Sequence, residues 1–433
     1  MAARVAGAPI RLLGALAVLL VCAPAAAAVL GRPPVARHST QADRRGHASR
    51  TRSRAGLTAM VPAGRTLLSA SCAGTGAASC LSVGDYELTT GPLPLAEPLA
   101  GPELASDPGH LIHTRGSRSA APASAPNGLG RLSSALFTAT GCPARRDCMA
   151  VGAQFGRHGL SAPVAAVWRQ AQLHVLAVPR PTARGGLGSR FSGVSCVSPV
   201  ACIAVGDNQR RSIVVPLAET WNGGRWRAIT PAAVLRARVS QLIGVSCPRP
   251  NTCTAVGSYL TATAGAALAE RWNGRSWHIQ ATAGNAPSGG VLSAVSCPAV
   301  RTCIAVGTAG GGTLAEIWRG AGWQVLPAPN PPGAAMSILS AVSCRSVTNC
   351  TAVGYDRRGL SGYATLIETW KGGTSWQIQP SPDHYRVAEL YGVSCPAART
   401  CFAVGGFARR SGRRMPLVEV WNGTRWRVSR PLG

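Results

Sequence analysis

Cysteine is the residue whose type and spacing in this 433-residue sequence most directly predict chemistry. All fifteen cysteines except Cys22 fall into close pairs, with five to seven residues between the partners. Two antiparallel strands joined by so short a loop bring their ends within disulfide range. Metal binding is the alternative, but zinc sites favour ligands two to four residues apart, and none of the eight histidines adjoins a pair. We therefore predict seven disulfides: Cys72–Cys80, Cys142–Cys148, Cys196–Cys202, Cys247–Cys253, Cys297–Cys303, Cys344–Cys350 and Cys395–Cys401.

Glutamate and tryptophan also recur at fixed places. Paired carboxylates would fit a glycosidase, but a catalytic group is needed once or twice in a chain and not once per repeat. We interpret the repeated glutamates as structural hydrogen-bond acceptors: Glu97, Glu219, Glu270, Glu316, Glu368 and Glu419. The tryptophans could stack on sugars, but their regular recurrence favours packing between repeats. They form the pairs 221/226, 272/277, 318/323, 370/376 and 421/426, with Trp168 alone.

A repeat of about fifty residues must position all of these side chains. One copy contains LSAVSCPAVRTCIAVG at 292–307 and LAEIWRGAGWQVL at 314–326, and seven copies can be traced. Each copy holds four strand-like segments bounded by the two cysteines and the two tryptophans. The sequence thus predicts an all-β, seven-bladed β-propeller with four antiparallel strands per blade and intra-blade disulfides. A solenoid of stacked hairpins is the alternative.

The last copy, from Phe402 to Ser429, resembles the kelch-type blade, since an apolar strand ends in the double glycine Gly405–Gly406 and a tryptophan follows an aromatic by five residues. The other six copies keep one glycine, place Trp where kelch blades often have Tyr, and add the cysteine pair. The resemblance covers residues 66–433 as architecture. It implies a kelch-like propeller and does not imply a function, because such propellers serve enzymes and binding modules alike.

The ends of the chain differ from the repeats. Residues 1–28 have the basic, apolar and small-residue regions of a signal peptide, with an uncleaved anchor as the alternative. Residues 29–65 are predicted to form a basic flexible linker, and the first blade is degenerate, with an insertion at about 101–130. We expect a secreted protein, extracellular or cell-wall associated, monomeric, with no integral membrane segment after signal cleavage.

The formal net charge of +28 favours anionic partners. An anionic glycan or envelope polymer is the expected ligand, or else a protein partner. Nucleic acid fits the charge but not the predicted export. Arginine enriched by a GC-rich genome is the competing explanation of the excess.

Two faces of the predicted disc must be distinguished. The hairpin face carries the cysteine hairpins and tryptophan turns, whereas the variable-loop face carries the loops that join the second strand to the third and one blade to the next. Function commonly resides in variable loops on a rigid scaffold, and we expect arginine and tyrosine to be concentrated there in a one-sided distribution. Our candidate ligand-binding residues are Arg210, Arg211, Tyr259, Tyr355, Arg357, Arg358, Tyr363, Tyr385, Arg409 and Arg410.

The leading hypothesis is a non-catalytic binding or scaffold propeller, with no cofactor, metal site or catalytic residue expected. The alternative is a propeller-type lyase or hydrolase acting on a polysaccharide or small cyclic substrate. Such an enzyme would have to use the unique polar residues Asp207, Asp356, Asp383 and His384, which form no known motif. A purely structural surface protein is a third interpretation.

Overall fold

The computed structural model describes residues 64–74, 79–88, 91–99, 134–156, 160–169, 172–179, 186–284, 289–359, 362–382 and 385–429, all within the unit Pro62–Gly433. The predicted signal peptide, nearly all of the linker and the insertion at 101–130 lie outside the described residues, as do Asp383 and His384. The first strand begins at Gly64, two residues before the boundary predicted at 66.

The described strands fall into seven successive blades. Blade 1 has β1 (Gly64–Cys72), β2 (Cys80–Leu88) and β3 (Gly91–Pro98). Blade 2 has β4 (Ala135–Ala144), β5 (Asp147–Phe155), β6 (Ser161–Arg169) and β7 (Gln172–Leu176). Blade 3 has β8 (Gly186–Ser198), β9 (Ala201–Arg210), β10 (Val214–Trp221) and β11 (Trp226–Ile229). Blade 4 has β12 (Val239–Arg249), β13 (Thr252–Leu260), β14 (Gly265–Trp272) and β15 (Trp277–Gln280).

The last three blades follow the same plan. Blade 5 has β16 (Gly290–Ala299), β17 (Thr302–Ala309), β18 (Gly312–Trp318) and β19 (Trp323–Val325). Blade 6 has β20 (Met336–Ser346), β21 (Asn349–Arg358), β22 (Gly362–Trp370) and β23 (Gln377–Gln379). Blade 7 has β24 (Ala388–Ala397), β25 (Thr400–Ala408), β26 (Arg414–Trp421) and β27 (Trp426–Ser429).

Within each blade the strands pair antiparallel in chain order, which confirms the predicted all-β propeller. The predicted strand limits at the tryptophans hold closely, since β10 ends at Trp221 and β11 begins at Trp226. Blade 1 departs from the prediction of four strands, because its described residues form three.

All seven predicted disulfides are present, with Cα–Cα distances of 4.0–4.1 Å between the partners. Each one joins the first and second strands of a blade beside their connecting hairpin. The disulfides therefore hold the hairpin face of every blade.

The glycine of each Ala-Val-Gly or Ser-Val-Gly segment is required because the backbone of the first strand of the blade passes very close to it. Beside it, the pairing of the first two strands shifts register, as between Leu242 and Gly244 in β12, which is a β-bulge. A Cβ on Gly257 would lie 2.0 Å from the carbonyl oxygen of Gln241. The other six blades repeat this contact at 1.9–2.0 Å, so no side chain fits at Gly84, Gly152, Gly206, Gly307, Gly354 or Gly405.

Neighbouring blades meet through their first strands and through single parallel bridges. One such bridge joins Ser161 to Gly188 and another joins Val214 to Val239. Gly64 of β1 pairs with Arg414 of β26 by the same parallel bridge, so blade 1 follows blade 7 in the ring. The ring closes without any exchange of a strand among the described residues.

The core consists of apolar clusters that span adjacent blades. Val256 of blade 4 and Leu292 of blade 5 are fully buried in one of them, together with Trp318 and Trp323. The paired tryptophan rings lie 5.5–6.5 Å apart across the third and fourth strands. Their burial confirms the interpretation as packing, with Trp221 and Trp421 left half-buried.

Candidate functional site

The variable-loop face is built less from loops than the sequence predicted. The second and third strands continue almost to the tip of their connection, so Arg210, Tyr259, Tyr355, Arg357, Arg358 and Tyr363 lie in strands. Arg211, Tyr385, Arg409 and Arg410 lie in turns and connections. Strand pairing fixes the backbone of most candidates, which is the more rigid arrangement.

Blades 6 and 7 bring several candidate aromatics together. The rings of Tyr355 and Tyr363 lie 5.8 Å apart, edge to face, on β21 and β22. Tyr391, on the first strand of blade 7, lies 6.1 Å from Tyr355. Tyr385 stacks on Phe407 with ring centroids 3.9 Å apart. An aromatic cluster thus bridges the two blades.

A polar corner holds Tyr391 in place. The Tyr391 hydroxyl donates to Glu389 Oε2 at 2.6 Å, and Arg414 donates to the same oxygen. Burial, with the Glu389 carboxylate as a further cause, raises the pKa of Tyr391 well above its usual value. Burial acts to lower the pKa of Arg414, but Tyr391 and Glu389 outweigh it and the pKa is raised. Tyr391 therefore stays a neutral donor and Arg414 a cation.

The arginines of this region differ in what they contact. Arg358 forms a two-pronged ion pair with the buried Asp356, at 2.7 and 3.2 Å. Arg357 is half-buried, and no described residue forms an ion pair or hydrogen bond with its guanidinium, whose Nε is itself buried from solvent. The same holds for Arg413. Arg409 and Arg410 are exposed in the turn before β26. Arg357 and Arg413 are thus the candidate anion-binding groups that the protein leaves with unused donors.

The remaining candidates lie elsewhere on the ring. Arg210 and Arg211 are exposed at the tip of blade 3, and Tyr259 of blade 4 packs against an apolar cluster of blades 3 and 4. Blade 3 is three positions from blade 6, so the structure does not bring these residues into the blade 6 and 7 cluster.

The polar residues needed by the enzyme hypothesis do not converge where they are described. Asp207 is paired with Arg190 at 2.8 Å in blade 3, and Asp356 is paired with Arg358 in blade 6. Each carboxylate has its own arginine, and neither faces the other.

Three of the repeated glutamates, Glu270, Glu316 and Glu419, accept hydrogen bonds, as predicted. Glu368 departs from the prediction, because neither of its side-chain oxygens has a partner among the described residues. Glu270 accepts from the backbone of Ala232 at 2.8 Å, and Glu316 accepts from Ala283 and Gly284 at 3.1 and 2.8 Å. Each of them holds the connection that leaves the preceding blade. Burial raises the pKa of Glu270 to about 7 despite its hydrogen bond.

Sequence reasoning missed Tyr391 and Glu389. Tyr391 is the one tyrosine outside the variable segments, and it occupies the bulge position where other first strands have Thr138, Ser192 or Ser340. In blades 1 and 4 the same place is held by Leu68 and Ile243, so Tyr391 is the one aromatic at this bulge, which was a signal that the sequence offered.

The expected one-sided distribution of arginine is wrong. The hairpin face carries exposed cations in its hairpins and turns: Arg145, Arg146, Arg169, Arg225, Arg249, Arg275, Arg301, Arg319, Arg345, Lys371, Arg399 and Arg425. Its one described carboxylate is Asp147, which pairs with Arg169 at 2.6 Å. Every other carboxylate whose side chain is described is buried. The repeat places acids inside and leaves both faces basic.

Within the described residues, no helix is long and apolar enough to cross a membrane. Nor do those residues contain a group of three or more His, Cys, Asp or Glu placed to hold a metal ion.

No family model and no curated protein matches the chain. Similar solved structures include YCF48 bound to a D1 peptide, with 12% identity, 68% of this chain and 81% of that chain covered, and a TM-score of 0.41. A protein of unknown function from Dyadobacter fermentans has 8% identity, 65% and 93% coverage and a TM-score of 0.46. SapL1 lectin in complex with α-methyl fucoside has 10% identity, 69% and 95% coverage and a TM-score of 0.40. Because these values are low, the fold assignment rests on the strand topology.

Proposed function

We propose that this protein is a secreted, non-catalytic binding propeller of kelch-like type that engages an anionic cell-envelope polymer through the variable-loop face of blades 6 and 7. The observation that carries the proposal is the juxtaposition of Arg357, whose guanidinium has no partner among the described residues, with the tyrosine cluster. Arg357 pairs directly across the strands with Tyr363, whose ring contacts Tyr355.

A guanidinium beside aromatic rings suits a phosphate or carboxylate group. The planar fork donates two hydrogen bonds to one anionic group, and the rings cover the adjoining apolar part of the polymer. Since the nearby carboxylates Asp356 and Glu389 are buried and already paired, they do not compete for the ligand. A protein partner with an acidic surface is the second candidate, supported by the same cations.

The test compares two double variants that remove equal charge from the same face. Arg357→Ser with Arg413→Ser removes the unused donors, whereas Arg210→Ser with Arg211→Ser removes two exposed cations of blade 3. The probe is soluble poly(glycerol phosphate), titrated into the oxidised full chain, with neutral dextran as the control polymer. We expect at least a tenfold loss of affinity for the first pair, since each lost charge-assisted hydrogen bond is worth about 1.5–3 kcal/mol, and less than a threefold loss for the second. Equal losses in both pairs would mean diffuse charge attraction and would contradict a site on blades 6 and 7.

A further inference from the structure

A groove with a volume of about 550 Å³ lies on the opposite, hairpin face, between blades 3 and 4. Blade 3 contributes the hairpin residue Val200, Trp221 at the end of β10, the turn residue Asn222, and Arg227 of β11. Blade 4 contributes Pro250 and Asn251 of its own hairpin. The volume falls in the range of about 300–1,000 Å³ that is usual for small-molecule sites.

Thr220 is a short residue in the lining of the groove. The equivalent residue of blade 4, one position before the first tryptophan of the turn, is Arg271. Arg271 crosses to blade 5, donates to the carbonyl oxygen of Val300 at 2.6 Å and lies over the Trp318 ring, 5.7 Å from its centroid. At the boundary of blades 3 and 4 nothing equivalent fills this space.

The lining of the groove combines aromatic, amide and cationic groups. Trp221 is half-buried, and its indole nitrogen donates to the carbonyl oxygen of Pro199 at 3.2 Å, which fixes the plane of the ring. Arg227 is exposed at the edge, and Arg225 is exposed in the adjoining turn. No carboxylate is among the described residues that line the groove.

We propose that this groove binds a short acidic oligosaccharide. Arg227 receives the sugar carboxylate through paired N–H donors, and the indole of Trp221 contacts a sugar ring, for which a flat apolar surface with a fixed orientation is suited. The amide side chains of Asn222 and Asn251 offer both donors and acceptors to hydroxyl groups. This site is separate from the variable-loop face, so the protein would hold anionic polymers on both faces of the disc.

The sharpest test is Thr220→Arg in the full chain, because this substitution copies the arrangement that blade 4 already uses. The new guanidinium is expected to reach the Pro250 carbonyl and cover Trp272, which closes the groove while adding a positive charge. With trigalacturonate as the probe, we expect at least a tenfold loss of affinity and no change in poly(glycerol phosphate) binding. Unchanged or stronger trigalacturonate binding would overturn the proposal, because it would show that charge alone attracts the ligand.

A second comparison keeps the proposal falsifiable if that variant folds poorly. Arg227→Ser removes the groove cation, and Arg427→Ser removes the exposed arginine at the same place of blade 7, directly after the second tryptophan. We expect a tenfold loss of trigalacturonate affinity for the first and less than a twofold loss for the second, with maltotriose binding weakly to both. Equal losses, or equal binding of a glutamate hexapeptide to the unaltered protein, would overturn an acidic saccharide as the ligand.

Discussion

The Oγ of Ser394 in blade 7 accepts a hydrogen bond from the backbone N–H of Cys72 in blade 1, at 3.1 Å. The same bond joins successive blades elsewhere, from the cysteine of one blade to the serine of the blade before it. The pairs are Cys142 to Ser71, Cys247 to Ser195, Cys297 to Ser246, Cys344 to Ser296 and Cys395 to Ser343, at 2.9–3.0 Å. The two ends of the propeller are therefore joined as any two neighbouring blades are.

The boundary between blades 2 and 3 lacks this bond, because Gly141 stands where the other blades have serine. A Cβ on Gly141 would lie 3.5 Å from the backbone nitrogen of Cys196, at ordinary contact distance and with no clash. We predict that Gly141→Ser completes the ring of bonds and raises the free energy of unfolding by about 1 kcal/mol. Thermal unfolding of the oxidised protein measures the gain.

Gly141→Ala is the matched control, since it changes backbone freedom in the same way without adding an acceptor. Ser246→Ala should have the opposite effect and lose about 1 kcal/mol. If the serine variant is no more stable than the alanine variant, the inter-blade bond does not stabilise the ring.

Gly257 should tolerate no side chain, because its Cβ would lie 2.0 Å from a backbone carbonyl oxygen that cannot move aside. We predict that Gly257→Ala lowers the free energy of unfolding by roughly 3 kcal/mol or prevents blade 4 from forming. Gly322 is the control, because a Cβ there meets nothing within 4 Å. Similar denaturant midpoints for the two alanine variants would refute the close approach as the reason for the repeated glycine.

Stability should fall as the pH rises from about 4.5 to about 8. Burial raises the pKa of Glu219 and of Glu368 from the usual 4.5 to about 8. Between pH 4.5 and pH 8 the two glutamates keep their protons in the folded protein and release them in the unfolded chain. Their contribution to the free energy of unfolding is therefore fully present below pH 4.5 and is lost as the pH approaches 8. Thermal unfolding at pH 5 and at pH 9 measures this slope.

Glu368→Gln isolates one contributor, since the amide has the shape of the protonated acid and does not ionise. Neither Glu368 oxygen has a hydrogen-bond partner among the described residues, which leaves burial as the cause of the shift. The variant should match the unaltered protein at pH 5 and unfold several degrees higher at pH 9. A variant with the same pH slope as the unaltered protein would show that Glu368 is ionised in the fold.

The sequence predicted the parts of the fold that recur in every blade. The disulfides and the strands that begin at Trp226 and Trp277 follow from short-range spacing, which geometry restricts to a few solutions. The variable segments that follow the second strand have no fixed spacing between recurring residues. The extension of β21 to Arg358 was therefore not predicted. The acceptor role of Glu270, Glu316 and Glu419 was predicted because a residue that recurs in six of the seven copies serves what those blades share.

Contacts between blades could not be predicted in the same way. Tyr391 meets Tyr355 across a blade boundary, and the groove is lined by the short Thr220, where the next blade has Arg271. Both are differences within a repeat, and their effect depends on packing against residues of the neighbouring repeat. The basic hairpin face was missed for a related reason, because its cations are single residues in turns that otherwise repeat.

The measurement that tests the central claim most directly is titration of the oxidised full chain with soluble poly(glycerol phosphate) at 50 and 200 mM salt, beside neutral dextran. A binding propeller with an arginine and tyrosine site predicts saturable binding of the anionic polymer that weakens with salt, as screening of exposed charges requires, and no binding of dextran. Absence of saturable binding at low salt, or equal binding of dextran, would contradict it.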